Sequence, residues 1–489
     1  MNEIDLNAFM WKYTAYLAVG GVLILAAAYL MKRFLVGKGL GSTSDKIKST
    51  LTGSNLSVGN DARGFIFGLK GNKKVYLPNN KEGHITIFGG SGKGKTSALL
   101  IPTLRAWNAP FLVIDISGDI SRNVECENKV IINPEDPKES CCYNILHIID
   151  AAESNFEKRQ RIEQLGLAMI DMPANANDAQ IYFTTTARKI FLGCFLSFYE
   201  QGYDFIEICK GIFFNDVKTL VDMIKISQNE LALSYVQPLL GENEKNLAGA
   251  KNLLNDKIKL FADNEYLAEI LQRGVGQDKE VIYPAKLENS QIFIKISDKK
   301  QEYYASFLSV LITQFLEYIS GRMYDSKKDK RILIALDEFA SIGHFDILSP
   351  FRKFRKNGAN LCILTQSLAD VDLVYSENER KVILDNSQYI VVLSANDNST
   401  RDYFSALVGR EDQEKKSVSR GNSGTSESVS VQREFAINPE VWKNFDTHLV
   451  VIHAGGYIKL KKNYYFNTAK KSIKTVKKPS FFIRGKKGN

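Results

Sequence analysis

No Cys-x-x-Cys pair occurs among the six cysteines, Cys126, Cys141, Cys142, Cys194, Cys209 and Cys362, and none has a histidine at zinc-finger distance. A zinc module or a disulfide scaffold is therefore excluded, and the thiols read as reduced groups of a cytosolic body. Acidic residues are also missing from the whole C-terminal end. After Asp446 there is none, while eleven of the 64 Lys and Arg lie between Lys459 and Lys487, so the remaining 53 face 55 acids upstream. The body is near neutral, and the net charge of +9 belongs to the tail. Nor is the chain poor in apolar residues, which make up 44% of it against 24% charged ones. Overall disorder is thereby excluded, and 489 residues suffice for two or three domains.

What is present is organised around Gly89, Gly90, Ser91, Gly92, Lys93, Gly94, Lys95 and Thr96, the sequence GGSGKGKT. This is a Walker A pattern. It follows the alternating run His84–Phe88 and precedes the helix-like Thr96–Trp107, the strand, loop and helix context that the motif needs. Glycines let successive backbone N–H groups turn toward one anion, Lys95 is placed for the β and γ phosphates of ATP, and the Thr96 hydroxyl for Mg²⁺.

Residues 13–31 carry no charge over a length that spans roughly 28 Å as a helix, close to one hydrocarbon thickness. They predict a single transmembrane helix. Lys32, Arg33 and Lys38 follow it, which puts the short N-terminus outside and the bulk of the chain in the cytoplasm, a single-pass protein of the cell membrane. A cleaved signal peptide is the competitor, disfavoured by the acidic residues in front. The expected organisation is a membrane anchor at 1–36, a linker at 37–62, and a nucleotide-binding domain in two parts, 63–174 and 276–460. An all-α subdomain at 175–275 lies between those parts, and a basic tail at 461–489 follows. That subdomain reads equally as a plain helical lid.

Two further strands carry candidate chemistry. Arg331–Leu336 ends in Asp337-Glu338, a Walker B arrangement in which Asp337 holds the metal and Glu338 orients or deprotonates water. Leu361–Thr365 ends in Gln366, placed to sense the γ-phosphate or position water, or else a plain solvated strand end. Between them Arg352, Lys353, Arg355 and Lys356 form either a wet helix face or the source of an arginine that reaches a neighbouring subunit's phosphate. Residues 417–430, rich in Ser and Gly, read as a mobile loop. The tail alternates Lys with Tyr464, Tyr465, Phe466, Phe481 and Phe482, a pattern suited to nucleic acid or to an anionic membrane surface.

The Walker A unit with its following strand and Ser117-Gly118-Asp119 turn resembles the type IV secretion coupling proteins, the TraG and TraD class of conjugation ATPases. The likeness continues through Tyr143–Leu146, Ile181–Phe191, Leu333–Gly343, Leu364–Ser367 and Leu384–Gly409, nearly the whole chain in order. The resemblance implies a RecA-like α/β P-loop ATPase with an inserted all-α subdomain, assembled as a homo-hexamer on the membrane. It would use ATP and Mg²⁺ and pass relaxase-bound single-stranded DNA, or protein, to the subunits of a secretion channel. It carries the phosphate and metal roles onto Lys95 and Thr96, the Walker B roles onto Asp337 and Glu338, and the motif glutamine onto Gln366. It also places an arginine finger at Arg355. Two departures stand out: one membrane helix rather than two, and no Lys in the turn at Asp115–Asp119. The alternatives are a duplex-DNA pump of the FtsK and HerA type, for which no winged helix is seen in the tail, and a nucleotide-gated docking platform for secreted proteins.

Overall fold

The computed structural model describes residues 50–172, 176–273, 279–421 and 424–467. One twelve-stranded sheet organises them. Its strands, in chain order, are β1 (Ser57–Gly59), β2 (Gly64–Lys70), β3 (Lys73–Pro78), β4 (Ile85–Phe88), β5 (Phe111–Asp115), β6 (Lys129–Ile132), β7 (Gln291–Lys295), β8 (Ile332–Leu336), β9 (Ala359–Thr365), β10 (Tyr389–Val392), β11 (His448–His453) and β12 (Gly456–Lys461). Across the sheet they run β1-β3-β2-β12-β11-β10-β4-β9-β8-β5-β7-β6. From β10 to β6 every neighbouring pair is parallel. The pairs from β10 through β11, β12 and β2 to β3 and β1 are antiparallel.

The parallel strands are short unbroken apolar runs because both faces are covered. Leu112, Ile114, Ile292, Ile294, Ile334 and Leu336 point into one core with the helices, while Phe111, Val113, Phe293, Leu333 and Ala335 point into the other. Strand alternation thus splits each run between two hydrophobic layers. The long helices Asp178–Glu200 and Glu244–Asp263 contribute Phe191, Phe195, Leu254 and Phe261 to the first of these cores, so the helical segment and the sheet share one interior. The first of them starts at a reciprocal capping box of Asn177 with Gln180, and the helix Phe205–Phe214 starts at another, of Asp204 with Glu207. The helix Asn155–Met169, upstream of residue 175, packs into the same core through Ile162, Leu165 and Met169.

Two expectations are corrected. Among the described residues no helix is long and apolar enough to cross a membrane, so the transmembrane helix, and the single-pass membrane location built on it, gain no support from the fold. The 13–31 run that suggested them lies outside the described residues, as do Phe481 and Phe482. The Ser-rich stretch is not a loop: Arg410–Gly421 and Gly424–Phe435 pair antiparallel in unbroken register from Arg410 opposite Phe435 to Gly421 opposite Gly424. Its period-two placing of Val418, Val429 and Val431 among serines is a strand pattern that low complexity disguised.

Candidate nucleotide site

The parallel strands β4, β8, β9 and β10 all end at one edge of the sheet, with Phe88 level with Thr365 on one side and Val392 on the other, and Leu336 level with Ile363. Gly89, Asp337-Glu338, Gln366 and Ser394 therefore emerge together, at the edge where open α/β sheets seat ligands. After β4 the chain turns through Gly92 at φ 70° and Gly94 at φ 98°, left-handed positions that glycine adopts without strain. Gly89 N donates to Thr365 O at 3.2 Å and Gly90 N to Ser394 Oγ at 3.2 Å, so the loop is tied to strands on both of its sides.

The helix that follows opens with a wide turn, Lys95–Leu100, in which Ile101 N donates to Thr96 O. Pro102 has no N–H to give the preceding turn, and regular α geometry resumes over Ile101–Trp107. Lys95 is buried, and its Nζ donates to Gly89 O at 2.9 Å and lies 3.3 Å from Glu338 Oε1. Thr96 Oγ1 donates to Asp337 Oδ2 at 3.1 Å. Gln366 Nε2 lies 3.5 Å from Glu338 Oε2, the outer limit of a hydrogen bond. The three motifs thus meet at one point.

Burial, then the neighbouring Glu338 charge, pushes the Asp337 carboxyl up to about 6, against the opposing pull of Lys95 and Thr96. A buried carboxylate beside a hydroxyl is a donor set that fits a divalent cation. Among the described residues no three His, Cys, Asp or Glu converge on an all-protein metal cage. The donor set instead suits Mg²⁺, which keeps waters and takes phosphate oxygens.

Glu338 adopts φ 46°, ψ 49°, a left-handed conformation that costs a non-glycine residue roughly 1–2 kcal/mol. The strain is held by Glu338 N donating to Asp337 Oδ1 at 3.2 Å and by Ser341 N donating to Glu338 O at 2.9 Å. Sequence reasoning missed several supporting groups. Asp370 Oδ2 accepts from Thr365 Oγ1 at 2.6 Å and from Gln366 N at 3.2 Å, which fixes the glutamine's backbone. Ser394 was legible only as the residue two beyond the β10 run. Lys462 Nζ, buried, donates to Lys93 O at 2.8 Å from the far end of the chain.

Arg355 is not brought to this point. It sits in the turn before β9 begins, whereas Gln366 follows its end, so seven residues, roughly 20 Å of strand, separate them. Its carbonyl is gripped by the Arg331 guanidinium at 3.2 and 3.4 Å, and its side chain is exposed.

A family model described as type IV secretory system conjugative DNA transfer matches residues 39–486. Protein VirD4 of Rhizobium rhizogenes is 22% identical over 409 residues, covering 80% of this chain and 60% of that protein. Conjugal transfer protein TraG of Rhizobium radiobacter is 24% identical over 378 residues, covering 73% and 57%. The chain thus spans about three fifths of the length of the curated relatives it matches. Among solved structures, plasmid coupling protein TrwB in complex with the non-hydrolysable ATP analogue ADPNP aligns with a TM-score of 0.64 at 17% identity, over 82% of this chain and 89% of that one. The same protein in complex with ADP and Mg²⁺ gives 0.61 at 18%, over 78% and 85%. These likenesses show a common fold.

Proposed function

The chain belongs to the type IV secretory system conjugative DNA transfer family, and from that premise we propose that it is a Mg²⁺-dependent ATPase coupling DNA or protein substrates to a secretion channel. The observation that carries the reading is the convergence of Lys95, Thr96, Asp337, Glu338 and Gln366 at one sheet edge. Residues 63–174 and 276–460 would form the nucleotide-binding body and 175–275 the helical subdomain. Single-stranded DNA delivered with a relaxase is the proposed cargo, with the channel subunits as partners.

In this reading the 89–96 loop binds the phosphates through its backbone amides, and the Lys95 ammonium moves from Glu338 to the γ-phosphate. Thr96 and Asp337 would hold Mg²⁺, which when bound offsets charge on the transferred phosphoryl group. Glu338, released from Lys95, accepts the proton of the attacking water, and Gln366 orients that water. Arg355 lies at the other end of β9 from its own site and would act on the next subunit of a homo-hexamer.

The test is steady-state ATP hydrolysis with and without single-stranded DNA and with a protein cargo. DNA is expected to raise turnover, and Lys95→Ala to abolish it. Turnover retained in Lys95→Ala would overturn the site. Turnover indifferent to DNA but raised by protein would overturn DNA as cargo.

A further inference from the structure

Hydrolysis leaves one part of the site unexplained, the segment Lys462–Phe466 (KNYYF). β12 is antiparallel to β11, which is antiparallel to β10, so the end of β12 comes out at the same edge as Gly89. In sheet order β12 lies on one flank of β4 while β9 and β8, which deliver Gln366 and the two acids, lie on the other. The segment is clipped to the loop. Lys462 Nζ donates to Lys93 O at 2.8 Å and to Phe445 O at 2.7 Å, and Lys93 Nζ reaches Asp446 Oδ1 at 3.0 Å.

Beyond this clip the rings alternate. Tyr464 lies against the last glycine of the loop, for a Cβ at Gly94 would stand 3.1 Å from Tyr464 Cε1 and 3.4 Å from its hydroxyl. The hydroxyl donates to Asp446 O at 3.4 Å. Tyr465 instead packs beneath the Arg105 guanidinium, 5.1 Å from the ring centre. Phe466 stacks on Tyr464 with centroids 5.1 Å apart and planes 21° from parallel, and it remains 48% exposed. A half-exposed aromatic shelf beside a phosphate loop has an apolar face to give to a ligand.

The orientation of the ligand follows from the phosphate end. Lys95 and Thr96 direct the terminal phosphate toward Glu338 and Asp337, on the β9 and β8 flank. The nucleoside leaves on the other flank, where Tyr464 meets Gly94. We infer that Tyr464 and Phe466 are the seat of the nucleotide's base, held in place by Lys462. The inference rests on the ATPase reading above. Stacking uses the π-face that every base has, so the shelf supplies affinity without choosing adenine over guanine.

Calorimetric titration of the full chain with ATP, GTP and inorganic tripolyphosphate tests it. Tyr464→Ala and Phe466→Ala are expected to weaken ATP and GTP alike, about thirtyfold, the middle of the range that one stacked base contributes. Tyr464→Phe should keep the affinity, and tripolyphosphate should bind all variants equally. Unchanged ATP binding in both alanine variants, or a parallel loss of tripolyphosphate, would overturn the inference while leaving the ATPase reading intact. A parent chain that binds none of the three would overturn both.

Discussion

Lys95 Nζ stands 3.3 Å from Glu338 Oε1 and 2.9 Å from Gly89 O, so the ammonium proposed to bind phosphate is held by the group proposed to activate water. The relationship links binding to chemistry. In the proposed reading a γ-phosphate that draws Lys95 away would leave Glu338 with a free lone pair and with Gln366 Nε2 3.5 Å away. In the proposed reading the ion pair is a resting contact that the substrate would replace.

Gln366 touches Glu338 only at the limit of hydrogen bonding, and its backbone is fixed by Asp370. Gln366→Ala is therefore expected to lower kcat by about tenfold to a hundredfold at nearly unchanged KM, the range for a residue that positions water rather than accepting its proton. Steady-state kinetics checks this, and a rise in KM alone would assign Gln366 to binding.

Arg355 lies at the opposite end of β9 from the site and is exposed. If it acts across a subunit boundary, Arg355→Ala should reduce turnover by about a thousandfold or more. Mixing it with a Glu338→Gln chain should restore part of the activity, since some boundaries then pair an intact Arg355 with an intact Glu338. A mixture no more active than either variant would contradict the cross-subunit role.

His84 offers a pH test independent of catalysis. Its Nδ1 accepts from Leu361 N at 3.0 Å, its Nε2 has no hydrogen-bond partner among the described residues, and its ring meets Phe351 edge-on. Burial, then the charges of Arg355 and Arg331, hold its pKa down to about 3. A folded value below the unfolded 6.5 means that stability is full above pH 6.5 and is lost as pH falls toward 3. Between pH 7.5 and 5 the loss from this one group is about 2 kcal/mol. Urea unfolding at both pH values should show that much less acid sensitivity in His84→Gln, and equal slopes would contradict the assignment.

Much of the sheet was legible because parallel strands are apolar runs that end abruptly. Ile332–Leu336 stops at Asp337-Glu338, and Ala359–Thr365 stops at Gln366. Spacing could also mark the helices, where Phe183, Ala187, Ile190 and Cys194 share a face. Local pattern could not show contacts made across long stretches of chain. Lys462 on Lys93 and Tyr464 on Gly94 are fixed by the fold of β10 to β12, and in sequence they read as the start of a free basic tail. Nor could it show the Asp370 support, since an acid in a first helical turn is an ordinary capping feature. The hairpin at 410–435 was masked by serine and glycine, and the expected membrane helix falls outside the described residues.

The most direct test compares nucleotide binding and single-turnover hydrolysis in the parent chain and in Glu338→Gln. Replacing the carboxylate by its amide keeps the shape near Lys95 and removes the proton acceptor. The account predicts ATP bound at least as tightly by the variant, with phosphate release slowed by a hundredfold or more. Equal release by both chains would contradict the claim that the acids of β8 serve the phosphate cradle of β4.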